Sequence, residues 1–159
     1  MSGLKYYSYA GAGEWARENL GYSQAVRIGD RIECSGQGES PTADDLQNPP
    51  ARGKTTYRNP GGWTFENGTL SISGDLETEI AQAFANVETA LRDAGGKGWS
   101  QVYRVNSYHT ALSPEVTALM TKNFKNWMPD HKPIWTEIGV KELGLPEMRV
   151  EIEVVAYDP

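Results

Sequence analysis

The segment Val150-Glu151-Ile152-Glu153-Val154, close to the C-terminus, alternates apolar and acidic residues with a period of two. In a β-strand this places Val150, Ile152 and Val154 on one face and both glutamates on the other. Carboxylates on a strand that is otherwise apolar on one side need a reason, and a cleft lined by Glu151 is one. Leu145-Pro146 precedes the segment and marks a proline-initiated strand. A second informative stretch lies more than a hundred residues earlier. Gly21-Tyr22-Ser23-Gln24-Ala25-Val26-Arg27-Ile28-Gly29-Asp30 runs on into Cys34-Ser35-Gly36-Gln37-Gly38. It reads as two strands around a tight Gly29-Asp30 turn, ending in a small-residue loop.

Between these segments the chain predicts two helices. Asp75 can cap the first, Glu77 and Glu79 favour its N-terminal end, and Gly95-Gly96 ends it. Leu76, Ile80, Phe84, Val87 and Leu91 recur at helical spacing and form one buried stripe. Ser113-Pro114-Glu115 starts the second, with the proline at the first helical position and Val116, Met120, Phe124 and Trp127 facing inward. Gln101 to Ala111, Pro133 to Val140 and Met148 to Tyr157 read as strands. A short helical turn around Glu14 to Asn19 is also expected. The order β-β-α-β-α-β-β puts two helices on one face of a mixed sheet, an α+β sandwich in one domain spanning 1–159. A sheet covered on one face needs something on the other, and oligomerisation is the economical answer.

The stretch from Glu39 to Pro60 differs in kind. It holds four prolines and no apolar periodicity, so it is expected to be an exposed insertion, 39–60. It starts one residue after Gly38, which leaves two readings, a lid over a cleft or a solvated decoration.

Charge and cysteine content exclude several classes. A net charge of −6 with scattered basic residues shows no footprint for nucleic acid. The densest basic set, Arg52, Lys54 and Arg58, lies inside the insertion. The single cysteine, Cys34, rules out an internal disulfide, fits a reducing compartment, and is expected to pack rather than react. The absence of a signal peptide and of any apolar run of spanning length points to a cytoplasmic protein without a membrane partner. His109 and His131 have no ligand spacing, and the glycine-rich segments lack phosphate-loop context, so neither metal nor cofactor is expected.

Tyr-Ser-Gln-Ala, Ser-Gly-Gln and a closing Val-Glu-Ile-Glu, in that order, resemble the RidA/YjgF family from about Tyr22 to Ala156. Enzymatic members of that family hydrolyse reactive enamines and imines. The resemblance implies a chorismate-mutase-like fold and a homotrimer with three clefts at subunit interfaces. It also implies that Glu151 positions or activates the hydrolytic water, that Tyr22 lines the cleft, and that Ser35, Gly36 and Gln37 form the adjoining loop. A desolvated carboxylate suits proton shuttling near neutral pH, and exposed loop N–H groups can receive an anionic oxygen.

The chain departs from this family at Pro133-Ile134-Trp135-Thr136-Glu137, where enamine deaminases carry an arginine that clamps the substrate carboxylate. Trp135 cannot replace a guanidinium fork. Glu137, on the same side of the strand, adds negative charge, and a family asparagine falls at Met120. The expected cleft is therefore aromatic and apolar, with Tyr22, Trp135 and Trp63 as walls and Glu151 as the acid–base group. Trp135 could equally pack at a subunit boundary. The expected function is hydrolysis of an imine, enamine or related conjugated small molecule. The alternatives are a non-catalytic trimeric binding protein and, third, a ribonuclease.

Overall fold

The computed structural model describes residues 3–38, 75–145 and 148–159 in full, and residues 63–66 and 69–72 in their backbone. The elements are β1 (Leu4–Tyr7), α1 (Ala12–Leu20), β2 (Ala25–Ile28), β3 (Arg31–Gln37), β4 (Trp63–Glu66), β5 (Thr69–Ile72), α2 (Leu76–Asp93), a 3₁₀ turn (Gly98–Gln101), β6 (Val102–His109), α3 (Pro114–Trp127), β7 (Ile134–Gly139) and β8 (Val150–Tyr157). Six strands make one mixed sheet in the order β1-β2-β3-β8-β6-β7, in which only β6 and β7 run parallel. β4 and β5 pair with each other as a separate hairpin.

Local chemistry sets the helix ends. The Asp75 carboxylate accepts the Thr78 backbone N–H at 3.0 Å, which caps α2. Gly95, at φ 83, takes the left-handed conformation that lets the chain leave that helix. The Ser113 hydroxyl accepts from Val116 N–H, and Pro114 opens α3. Ile80, Phe84, Val87 and Leu91 of α2, with Val116 and Met120 of α3, then bury against Ile32 and Cys34 of β3, Val102 and Val105 of β6, and Val150, Ile152, Val154 and Ala156 of β8. Phe84 stacks on Trp99 at 4.6 Å, and the indole N–H donates to the Phe84 carbonyl at 2.9 Å. Burial pushes the Cys34 thiol up to about 12, so this cysteine packs and does not ionise.

The seven elements expected from sequence are all present, and α1 extends the expected turn at both ends. Two features were not anticipated, the N-terminal strand β1 and the β4–β5 hairpin. The insertion 39–60, with Arg52, Lys54 and Arg58, and the side chain of Trp63 lie outside the described residues, as does Pro146. Among the described residues no helix is long and apolar enough to cross a membrane.

The start of β8 is held by a carboxylate inside the core. Glu79 of α2 is wholly buried, and both its oxygens accept from Arg149, one from the backbone N–H and one from Nε, each at 2.6 Å. Removing the guanidinium strands a buried charge. Arg149→Met is expected to cost about 3 kcal/mol in denaturant unfolding, with Glu79→Gln recovering part of it in the double variant. A loss below about 1 kcal/mol would show that the pair is not what anchors this strand.

Candidate functional site

The alternation along β8 separates the two faces of the sheet as expected. Val150, Ile152 and Val154 enter the core, while Glu151 and Glu153 lie on the face without helices. Across the ladder on β6, Tyr108 stands opposite Glu151 and Asn106 opposite Glu153. The Tyr108 hydroxyl donates to Glu153 Oε2 at 2.9 Å. Glu151 has no hydrogen-bond donor among the described residues. Desolvation, and after it the Glu153 charge, hold its carboxyl above the usual range. The same corner raises the Tyr108 hydroxyl, first through its bond to Glu153 and then through burial and the two carboxylate charges.

On the other side of Glu151, the β3–β8 register shifts between Cys34 and Gln37, a local irregularity that brings Gly36 beneath the glutamate. A Cβ built on Gly36 would collide with the Glu151 carboxyl group. Glycine is needed here for close approach, not for turn geometry. Ser35 and Gln37 belong to a buried amide network. Gln37 Nε2 donates to Gln24 Oε1 at 2.7 Å, and the Tyr9 hydroxyl donates to Gln37 Oε1 at 3.0 Å. Gln24 Nε2 reaches the Tyr22 hydroxyl at 3.4 Å, so Tyr22 joins the end of this chain with its ring 44% exposed.

Glu151 and Gly36 thus meet on the helix-free face, flanked by Ser35 and linked to Tyr22 through Gln24, while Gln37, opposite Ile152, is buried on the core side. Tyr108, Glu153, Gln24 and Tyr9 also belong to this neighbourhood and were not singled out as site residues. For Tyr108 and Glu153 the signal was available, since residues two apart on one strand share a face.

Trp135 and Glu137 are placed elsewhere. Trp135 pairs in register with Val105 and Glu137 with Ser107, the core-facing residues of β6, whereas Glu151 pairs with Tyr108. The parity of the ladder puts them on the opposite face from Glu151. Within one chain Trp135 and Glu151 therefore do not share a wall; the expected cleft lies between subunits. Trp135 instead packs edge-on against Phe124 of α3, with centroids 4.9 Å apart, and its indole N–H donates to Ser107 Oγ at 2.9 Å. Met120 is entirely buried in the core and lines no open surface, a correction. Thr136, next to Asn106, lies exposed on the helix-free face.

The helix side holds its own polar group. His109 Nε2 sits 2.9 Å from Ser107 Oγ and 3.5 Å from Glu137 Oε1, and Thr117 donates to Glu137 Oε2 at 2.8 Å. Hydroxyl and carboxylate approach the same imidazole nitrogen, and Nδ1 has no partner, so His109 does not bridge them as a catalytic relay would. Burial holds this histidine down at about 4, neutral at physiological pH.

The raised carboxyl of Glu151 has a consequence for stability. A group whose folded midpoint exceeds its unfolded one favours folding most below the unfolded value, and that contribution is lost as pH rises through the folded midpoint. Glu151→Gln is therefore expected to raise Tm at pH 7, with the gain vanishing below about pH 4, where the glutamate is protonated in both states. An unchanged or lower Tm at pH 7 would show that the carboxylate is not held in a desolvated place.

Comparison with known proteins supports the same fold. RidA from the Antarctic bacterium Psychrobacter sp. PAMC 21119 superposes with a TM-score of 0.65 at 22% identity, covering 96% of this chain and 98% of that one. A member of the YjgF/YER057c/UK114 family from Mycobacterium tuberculosis gives 0.65 at 21% identity over 97% and 98%. Yeast Mmf1 gives 0.66 at 18% over 98% and 99%. At such identities these likenesses carry the fold. No curated protein matches the sequence. A family model described as Endoribonuclease L-PSP matches residues 16–158, nearly the whole chain. The chain belongs to this family, the one that includes the RidA and YjgF proteins.

Proposed function

We propose that this protein hydrolyses an imine, an enamine or a related conjugated small molecule, with Glu151 as the acid–base residue. Membership in the family supports a small-molecule-processing role in general. The observation that carries the finer reading is the Glu151 carboxyl itself, half-buried, without a donor among the described residues, seated over Gly36 and held above the usual range by desolvation. A carboxyl shifted in this direction is better suited to proton exchange. Hydrolysis of an imine adds water across C=N, protonates the nitrogen, and releases an amine or ammonia with a carbonyl product. An enamine first takes a proton at carbon. Glu151 delivers these protons and recovers as many, one from the attacking water and one from the carbinolamine hydroxyl as the C–N bond breaks and the carbonyl forms.

The working site is a cleft between subunits of a homotrimer. The helix-free face supports this reading, since Tyr6, Ile28, Tyr103, Ile134 and Tyr157 are large, exposed and apolar or aromatic. In such an assembly, Tyr22, Ser35, Gly36, Thr136 and Glu151 line the cleft from one subunit, and Trp135 and Glu137, on the helix side of their own sheet, would enter it only from the next. Because Trp135 stands where an arginine clamps carboxylates in enamine deaminases, a carboxylate-bearing substrate would lose about 2–5 kcal/mol of pairing. An uncharged or aromatic substrate fits better. The protein acts in the cytoplasm without nucleic acid or membrane as partner, in line with its acidic charge.

A second reading, a trimeric binding protein that has lost the chemistry, is favoured by Trp135 alone. Turnover of freshly generated imines and enamines separates the two. Wild type is expected to accelerate hydrolysis of at least one aromatic member, and Glu151→Gln to slow it by about 10²–10⁴-fold. No turnover across the panel, or full activity in the variant, would overturn the hydrolase. RNA cleavage by pure protein that disappears in Glu151→Gln would replace it with a nuclease.

A further inference from the structure

Two carboxylates share the helix-free face of β8, two residues apart, and one tyrosine lies within reach of both. Tyr108 is the direct cross-strand partner of Glu151, yet its hydroxyl turns along the face and donates to Glu153 at 2.9 Å. The hydrogen bond makes the two acids unequal. A donor on Glu153 favours its ionised form, while Glu151 sits over Gly36 with no donor and a like charge beside it. We propose that Tyr108 and Glu153 are positioning residues that assign the proton of this site to Glu151. The inference rests on the reading of Glu151 as the acid–base residue and says what makes it an acid.

Other groups facing Glu151 leave this assignment intact. On β3 the neighbouring residues are Ser35 and Gly36, and further along Glu33 is paired with Arg31 at 3.0 Å. On β6 the only cation of this face is Arg104, opposite Val155 and so two cross-strand pairs removed from Glu151. The matching face of β7 carries Ile134, Thr136 and Ile138, none of which titrates. Arg149, two residues before Glu151, is bound by Glu79. Glu153 is thus the acidic neighbour of Glu151 on its own strand, and Tyr108 is the group that donates to it. The direction of the shift at Glu151, with Glu153 named after burial among its causes, agrees.

The test is a carboxyl titration on the full-length protein, with carbon-13-labelled glutamate followed by NMR. Glu151 is assigned by its missing signal in Glu151→Gln. In Glu153→Gln the like charge is gone, and the Glu151 midpoint is expected to fall. In Tyr108→Phe the donor on Glu153 is gone, and the Glu151 midpoint is expected to fall as well. Both substitutions keep side-chain shape, and if Tyr108→Phe does not fold, Glu153→Gln decides alone. A Glu151 midpoint that stays put in Glu153→Gln overturns the proposal. The result is separable from turnover. If the midpoints move as expected while no imine is hydrolysed, the proton assignment stands and the hydrolase reading falls. If turnover is present and its acid limb does not follow the Glu153→Gln shift, the assignment falls and the hydrolase stands.

Discussion

Strand β8 lies in the middle of the sheet, between β3 and β6, and its alternation of apolar and acidic residues decides what each face of the protein can be. With Val150, Ile152 and Val154 committed to the core beneath α2 and α3, the glutamates between them have nowhere to go except the opposite face. A slip of one residue in register would bury both carboxylates and expose three branched apolar side chains, so the register is strongly specified. The anchoring pair of Glu79 and Arg149 acts just before the strand begins and fixes its entry. Placement of the candidate acid follows from these two constraints together.

Much of this arrangement was legible before any coordinates. Asp75, Ser113 and Pro114 announce helix starts because capping chemistry is local, and the two apolar stripes follow from helical spacing alone. β1 was missed because Leu4 to Tyr7 is only four residues long and half of them are exposed. Its strand character comes from pairing with β2, a contact no local pattern announces. The β4–β5 hairpin is likewise short and follows a polar insertion that hid its start.

The site was legible residue by residue but not in its spatial grouping. Glu151 and Gly36 come together with Ser35 beside them, while Gln37 takes the core side. Trp135 was placed beside Glu151 because position along the chain says nothing about which face a residue takes relative to a strand two places away in the sheet. That relation depends on the β6 register, where Val105 and Tyr108 have opposite parity. The same ladder explains why the exchange to Trp135 is tolerated. The indole finds an acceptor in Ser107 and an aromatic neighbour in Phe124, so its polar edge and its rings are both satisfied. Ser107, His109 and Glu137 are polar residues along the same ridge, and their mutual contacts keep that polar group closed on itself.

Two glutamates at the root and on the shoulder of one strand show how environment separates structure from chemistry. Glu79 is more deeply buried than Glu151, yet each of its oxygens receives an Arg149 N–H. Paired in that way, its value lies in where it puts β8. Glu151 is less buried and receives no donor among the described residues, so burial shifts it toward its neutral form. A protein selected only for stability would pair that carboxyl or replace it with an amide. Instead, a bulge in β3 and a residue without a side chain at position 36 make room for an acid that receives no hydrogen bond among the described residues. Local rules broken at one place, with the surrounding fold built to permit it, are what a reactive group requires of its scaffold.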